Sequence, residues 1–344
     1  MSVTLKDLAK ACNVSVGTVS RALNEKTEVS AKTSERIRKL ASELGYIPNR
    51  AGRALSAQKN INFIGVLLPS INSMFFDDIK RGIENASNEL KDLGISVIIS
   101  EVEGWNVKEH LAALEKLQSR GCKGYGLCTV NCPEMAAKIN SITQNGTPAV
   151  LINTMIPGIE HACYVGPDYK KQGAIAAAML DKCNHNRKVR ILIVVGDKNH
   201  YGHRNRMEGF IAELNKRHCD YELIDTIEGH DRDIDTQQAT MQAFIKHPEI
   251  DCVYMTTGSG VSGLGAAIIA DSTHKRFVIA CDEIFTTREL VKNDIIDFVI
   301  CQEPVTQGYQ AIKKLHEYLN NKYCGLLEDS IMDSIIKIKN HFEP

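Results

Sequence analysis

Three groups of residues in this chain have types and spacings that could do chemistry. The first is Gly258-Ser-Gly260-Val-Ser-Gly263, a literal G-x-G-x-x-G that follows a candidate strand and opens a candidate helix, with Asp282 about 20 residues further on. In a nucleotide-binding enzyme such glycines let the backbone approach a pyrophosphate and the acid takes a ribose hydroxyl. One reading is therefore a dinucleotide-binding, sugar-metabolising enzyme. The second group is His200-Tyr-Gly-His203, with Asp197 nearby. Its i, i+3 spacing could present two imidazoles to a metal, yet Gly202 and the loop context point to exposed loop histidines. No cysteine cluster or His-Glu-x-x-His supports a metal site. The third is Ser15-Val-Gly-Thr-Val-Ser-Arg21, a short amphipathic run whose hydroxyls and guanidinium can meet phosphates and base edges. No serine or cysteine is placed as an activated nucleophile, so no catalytic residue is assigned.

The elements that must hold the third group are short helices. Thr4 can cap the first, with Asp7 three residues later as a short-armed capping box, and Leu5, Leu8 and Ala9 form one apolar stripe that ends at Asn13. Ser15 caps a second helix running to about Asn24, which buries Val19, Ala22 and Leu23 and turns Val16, Gly17, Ser20 and Arg21 outward. Ser30 caps a third, Gly45 closes it, and Pro48 blocks its continuation. This is a helix-turn-helix with a recognition helix.

The runs Thr18-Val-Ser-Arg21 with Asn24, Val29-Ser30 with Thr33, and Gly45-Tyr46-Ile-Pro-Asn49, in that order, closely resemble the lactose-repressor (LacI/GalR) family of bacterial transcription regulators. The resemblance implies a sequence-specific DNA-binding regulator, a repressor, whose operator affinity is controlled by a small-molecule effector such as a monosaccharide or related polyol. It places Thr4, Ser15, Val16, Gly17, Thr18, Ser20, Arg21, Asn24, Ser30, Thr33, Tyr46 and Asn49 at double-stranded DNA. It also implies a homodimer on a near-palindromic operator. Residues 50–60 contain glycine and are too short for a stable helix alone. In the resembling family this hinge folds on DNA and wedges a leucine into the minor groove, which puts Leu55 there with Arg50 and Arg53 beside it.

From residue 61 apolar strand candidates alternate with helical patterns, the first helix carrying Ile79, Ile83, Ala86, Leu90 and Leu93 on one stripe before Gly94. Strands are expected near 61–68, 95–100, 124–130, 148–153, 189–195, 221–227, 250–256, 276–281 and 295–301, a mostly parallel α/β body. This body resembles the ribose-binding type of periplasmic sugar-binding protein. The fold class implied is an all-α helix-turn-helix headpiece followed by a two-lobed α/β sensor of the periplasmic-binding-protein kind (type I). The implied domains are 1–49 for the headpiece, 50–60 for the hinge, 61–165 with 304–330 for one lobe, and 166–303 with 331–344 for the other.

By the same resemblance, the effector contacts fall at Asn72, Ser73, Phe75, Phe76, Asn153, Arg206, Asp282 and Gln302. Their chemistry suits a polyol: Asp282 accepts from vicinal hydroxyls, Arg206 donates a planar pair, Gln302 does both, and the phenylalanines offer apolar faces, one of them belonging to the core. Two departures matter. The ribose-binding pattern has an Asp-Arg pair where this chain has Asn153-Thr154, and an Asn-Asp pair where it has the glycine-rich run from Thr257. Ribose held in the same way is therefore not expected. The glycine motif itself falls in the loop this family uses to line its cleft, which sets the enzyme reading second. Trp105, the single tryptophan, divides equally between the cleft and a helix cover. Some relatives are switched by a phosphorylated carrier protein, but the polar cleft set favours a small molecule.

Composition agrees with two unlike regions. Residues 1–60 hold 11 Lys/Arg against 5 Asp/Glu, a charge of +6 that leaves −7 on the remainder of a chain with net charge −1. Length, 344 residues, is too great for one core. No apolar run approaches a membrane span and no signal peptide is legible, so no membrane partner and a cytoplasmic, bacterial, nucleoid-associated protein are expected. Eleven cysteines without a Cys-x-x-Cys read as reduced thiols. No cofactor or metal is expected, and the absence of a heptad tail favours a dimer over a tetramer.

Overall fold

The computed structural model describes residues 3–23, 29–44, 46, 61–160, 163–184, 187–271, 274–321 and 327–343. The chain divides into an N-terminal unit, which ends at Asn60, and a body that begins at Ile61.

Among the described residues three helices build the N-terminal unit: α1 (Leu5–Ala11), α2 (Val16–Leu23) and α3 (Ala31–Glu43). Each begins at a side chain that satisfies an otherwise open amide. The Thr4 hydroxyl accepts from the Asp7 N–H at 3.4 Å and the Asp7 carboxylate accepts from the Thr4 N–H at 2.9 Å, a reciprocal capping box. Ser15 Oγ accepts from the Thr18 N–H at 3.0 Å and Ser30 Oγ from the Thr33 N–H at 3.3 Å. Helices this short are marginal alone, and a single core of Leu8, Ala9, Cys12, Val19, Ala22, Ile37 and Ala41 holds them. Arg36 Nη2 donates to the Cys12 carbonyl at 2.8 Å and ties the end of α1 to α3. Asn24, Gly45, Pro48, Asn49 and the hinge residues Arg50, Arg53 and Leu55 lie outside the described residues.

Among the described residues the body contains two six-stranded sheets. The first comprises β1 (Asn62–Ile71), β2 (Ile95–Glu103), β3 (Gly124–Leu127), β4 (Ala149–Ile152), β5 (Cys163–Pro167) and β11 (Ser330–Met332), in the order β11-β5-β4-β3-β1-β2. The second comprises β6 (Val189–Val195), β7 (Tyr221–Glu228), β8 (Cys252–Met255), β9 (Phe277–Cys281), β10 (Phe298–Cys301) and β12 (Ile335–Lys337), in the order β12-β10-β9-β8-β6-β7. Among the described residues every pairing is parallel except β10 with β12. Central strands such as β8 are buried throughout, because crossover helices cover both faces of a parallel sheet.

The helices of the body are α4 (Met74–Leu90), α5 (Val107–Ser119), α6 (Pro133–Gln144), α7 (Tyr169–Asn184), α8 (Tyr201–Lys216), α9 (Asp233–Lys246), α10 (Val261–Ala270), α11 (Phe285–Lys292) and α12 (Pro304–Asn321). The stripe expected on α4 is buried at Ile79, Ile83, Ala86 and Leu90, but Leu93 is 47% exposed. The reason is local: residues 91–93 tighten into a 3-10 turn, whose three-residue period rotates Leu93 off the stripe. Helices α4 and α12 approach so closely that a Cβ at Gly82 would lie 2.0 Å from the Val305 carbonyl oxygen, and one at Gly308 2.0 Å from that of Ile79.

The chain passes between the sheets three times: after Pro167, at Gln302 and Glu303, and between Met332 and Ile335. The first and third passages fall two residues beyond the expected lobe boundaries, because β5 continues through Gly166 and Pro167 and pairs there with β11. Strand β5 escaped the sequence reading because Gly166-Pro167 resembles a turn. Gly166 is required by packing, since a Cβ would lie 2.3 Å from the Tyr164 hydroxyl. The ten cysteines among the described residues are free thiols, and among those residues no helix is long and apolar enough to cross a membrane.

Candidate functional site

Two regions carry candidate functional groups. On α2 of the N-terminal unit, Val16, Gly17 and Arg21 are exposed and Thr18 and Ser20 half-buried, while Val19 and Ala22 enter the core. A Cβ at Gly17 would meet nothing nearer than 3.6 Å, so this face can approach another surface closely. The hydroxyls of Ser15 and Thr18 bond each other at 2.8 Å, as do those of Ser30 and Thr33. Thr4 is engaged in its capping box, and Tyr46 packs against the small core.

In the body, the carboxyl ends of strands from both sheets line one cavity of about 480 Å³, within the range of about 300–1,000 Å³ usual for small-molecule sites. It collects all eight residues expected to contact an effector: Asn72, Ser73, Phe75, Phe76 and Asn153 from the first sheet's side, and Arg206, Asp282 and Gln302 from the second's. Phe76 is at the same time a core residue, 7% exposed, with the Phe75 ring edge-on to it at 5.3 Å. The polar residues sit where strands end in sharp turns. Asn72, Asn153 and Asp282 have φ of 61°, 62° and 69°, a left-handed conformation that Asn and Asp tolerate better than other side chains.

Arg206 and Asp282, read in the sequence as separate ligand groups, pair with each other. Arg206 is 1% exposed; its Nη1 and Nη2 donate to Asp282 Oδ2 and Oδ1 at 3.0 and 2.8 Å, Nη1 also to the Thr256 carbonyl at 2.8 Å, and Nε to Gln172 Oε1 at 2.9 Å. Such complete pairing is what makes a buried guanidinium tolerable. The Tyr169 ring lies 5.0 Å beneath it, and burial holds the Tyr169 hydroxyl well above its usual range. Gln302 Nε2 donates to Asp282 Oδ1, and Asn153 Nδ2 donates to Gln302 Oε1 at 2.9 Å and to Gln307 Oε1 at 3.1 Å. A hydrogen-bonded chain thus runs from Asn153, just past β4 of the first sheet, to Arg206 in α8 on the second sheet's side.

The histidines correct the sequence reading. His200 precedes α8 and His203 lies in its first turn, both in the cavity wall, with ring centroids 4.1 Å apart. Burial, then the Arg206 charge, pushes His203 down to about 3, and burial, then His203, holds His200 well below its ordinary value. His203 Nδ1 accepts from the Asp197 N–H at 3.2 Å, so the neutral ring carries its hydrogen on Nε2. Trp105 lines the cavity and also covers α5: its indole stacks on His110 at 6.0 Å and meets His200 at 4.7 Å. Among the described residues no group of three or more His, Cys, Asp or Glu is arranged to hold a metal ion.

The glycine motif is also corrected. Thr257, Gly258 and Ser259 line the cavity, but Gly260 (φ 79°) and Gly263 serve the packing of α10 on α9. A Cβ at Gly263 would lie 1.9 Å from the Asp233 carbonyl oxygen, and one at Gly260 2.4 Å from Thr236 Oγ1. These two glycines are therefore accounted for by helix packing. Missed altogether was Asp231, in the loop after β7. Its carboxylate accepts from Thr257 Oγ1 at 2.8 Å and its pKa is raised by burial, which the Thr257 bond opposes. The signal that could have found it is positional, since His230-Asp231 follows a strand end like the other polar clusters.

Residues 4–49 match the lacI family of bacterial regulatory proteins and residues 64–323 match the periplasmic binding protein domain. The chain is 29% identical over 232 residues to the HTH-type transcriptional regulator pepR1 of Lactobacillus delbrueckii subsp. lactis, covering 66% of each chain, just under two thirds of that regulator. It is 26% identical over 253 residues to the ribose operon repressor of Bacillus subtilis, covering 73% of this chain and 71% of that one. Both relatives are transcription regulators. In fold it is similar to GanP, a glucose-galactose binding protein from Geobacillus stearothermophilus, with a TM-score of 0.75 over 82% of this chain and 98% of that one at 20% identity. Through its body the chain belongs to the periplasmic binding protein domain family, and at its N-terminal end it carries the DNA-binding domain of the lacI family of bacterial regulators.

Proposed function

We propose that this chain is a sequence-specific transcription repressor whose operator affinity is controlled by a monosaccharide or related polyol. The observation that carries the reading is the conjunction in one chain of a capped helix-turn-helix with an outward recognition face and a two-sheet body enclosing a polar cavity. The relatives named as a ribose operon repressor and a glucose-galactose binding protein support a sugar. The DNA-facing set is Thr4, Ser15, Val16, Gly17, Thr18, Ser20, Arg21, Ser30, Thr33 and Tyr46, with Asn24, Asn49, Arg50, Arg53 and Leu55 joining it on the operator. The protein acts as a homodimer on a near-palindromic operator, in the bacterial cytoplasm at the nucleoid.

Control follows from the lobes, 61–167 with 304–332 and 168–303 with 333–343. A ligand touching both Ser73 and Phe75 on one side and Asp282 on the other favours one relative rotation of the lobes, and so one spacing of the two headpieces of a dimer. The factor by which effector changes operator affinity must equal the factor by which operator changes effector affinity. The test is selection of binding sites from random DNA, followed by gel shifts with and without a panel of sugars and polyols. Failure to select a two-fold symmetric site, or operator affinity indifferent to every sugar the protein binds, would refute the reading. Leu55→Ala should reduce DNA bending in a circular-permutation gel while sugar binding is kept; equal bending would make residues 50–60 a plain linker.

A further inference from the structure

The cavity contains hydrogen-bonding capacity that the protein leaves unused. Both ring nitrogens of His200 are shut off from solvent and neither has a partner. Trp105 at 4.7 Å and His203 at 4.1 Å flank that ring in the cavity wall. Asp231 gives one carboxylate oxygen to Thr257, and it is aimed by two consecutive left-handed residues, His230 (φ 51°) and Asp231 (φ 57°), a backbone conformation held at a cost. Gly196 makes room for it, since a Cβ there would fall 2.0 Å from Asp231 Oδ1. Positive charge, by contrast, is already committed. Arg206 is taken up by Asp282, Gln172 and the Thr256 carbonyl; Arg232 is mostly exposed and paired with Asp235 at 3.3 Å; and among the described residues no lysine lines the cavity.

We propose that Asp231 and His200 form the recognition pole of this cavity and select an uncharged, polyhydroxylated ligand over an anionic one. The inference rests on the sugar reading above and sharpens it. A neutral imidazole has one donor and one acceptor nitrogen, and a hydroxyl can satisfy either; a carboxylate accepts from two further hydroxyls. A phosphate ester or sugar acid would have to shed its water beside Asp231 and Glu103 where, among the described residues, no lysine lines the cavity and both lining arginines are already paired. The identity of the pole also explains how the site can differ from the ribose-type pattern at Asn153 and Thr257 and still hold a polyol.

Trp105 is the single tryptophan and touches His200, so its fluorescence reads the site directly. The experiment titrates the full chain with glucose, galactose, ribose and myo-inositol, then with glucose 6-phosphate, ribose 5-phosphate, gluconate and glucosamine, by fluorescence and calorimetry. It repeats the best neutral ligand on His200→Phe, which keeps a ring against Trp105, and on the isosteric Asp231→Asn, with circular dichroism melts to confirm folding. A neutral ligand should bind the wild type, its anionic counterpart at least tenfold more weakly, and each variant should lose at least tenfold in Kd. Tighter binding of an anionic or cationic counterpart would overturn the selectivity, and this comparison needs no variant to fold. Wild-type affinity in both folded variants would overturn the pole while leaving the sugar reading intact. A wild type that binds no member of the panel removes the sugar reading, and this inference with it.

Discussion

The N-terminal unit and the body treat their polar side chains in opposite ways. In the first, hydroxyls and carboxylates find partners three residues away, at Thr4 with Asp7, Ser15 with Thr18 and Ser30 with Thr33, and α2 turns Val16, Gly17 and Arg21 outward. In the second, partners are remote: Arg206 and Asp282 are 76 residues apart, Asn153 and Gln302 149. The functional groups of the body face inward and are held by one another. A reading face can be built from local rules, whereas a cavity that discriminates ligands needs a network whose members meet only after folding.

The contrast can be broken most sharply at Asp282. Asp282→Ala strands Arg206 in the interior without its counter-charge, and should destabilise the body by about 3–5 kcal/mol as well as abolish the response to effector. Calorimetric unfolding is the measurement; a melt like the wild type would mean the pair is not what holds the cavity floor. On the outward face the expected loss is smaller and falls on binding. Arg21→Ala should weaken operator affinity by about 1–3 kcal/mol in gel shifts and leave the melting temperature nearly unchanged, whereas a fall in stability with intact affinity would assign Arg21 to the fold instead.

Acid should act on the body through its histidines. Folded, His203 titrates at about 3, against an ordinary value of 6.5. Below that ordinary value the unfolded chain binds more protons than the folded one, so stability present at neutral pH is lost as pH falls toward 3, by at most about 1.4 kcal/mol per pH unit from this group. His203→Asn, whose side-chain oxygen can accept the Asp197 N–H, should flatten that slope in melts taken between about pH 6 and 4. The smallest effect is expected at a local cap. Ser15→Ala should cost the N-terminal unit about 1 kcal/mol in a chemical denaturation curve. No change would indicate that the Ser15–Thr18 bond is replaced by water.

This division also explains what could be read from the amino acids. The three caps, the inward and outward faces of α2 and the alternation of strands and helices depend on neighbours within a few residues, and all are visible in the string. So were the strand-end positions of Asn72, Asp282 and Gln302, through the family resemblance, whereas Arg206, expected at a strand end, sits inside α8. What the string hid was direction. His200 and His203 read as exposed because Gly202 looks like loop, yet a Cβ at Gly202 would lie 2.9 Å from the Tyr169 ring, and the glycine is there to let α8 approach α7. The mutual pairing of Arg206 with Asp282, and the turn that brings Asp231 to the cavity, are set by contacts between elements that no local period reports.

The interleaving of the two sheets bears on how the molecule is made. Strands β6 to β10 of the second sheet are contiguous along the chain and leave the ribosome together, whereas the first sheet waits for α12 and then for β11, residues translated after β10. Domains tend to fold as units during synthesis, so the second lobe can settle while β5 of the first still has an open edge. The edges that stay open longest are β5 and β10, which wait for β11 and β12 from the end of the chain, and a chaperone that guards unpaired strand edges would find its substrate there.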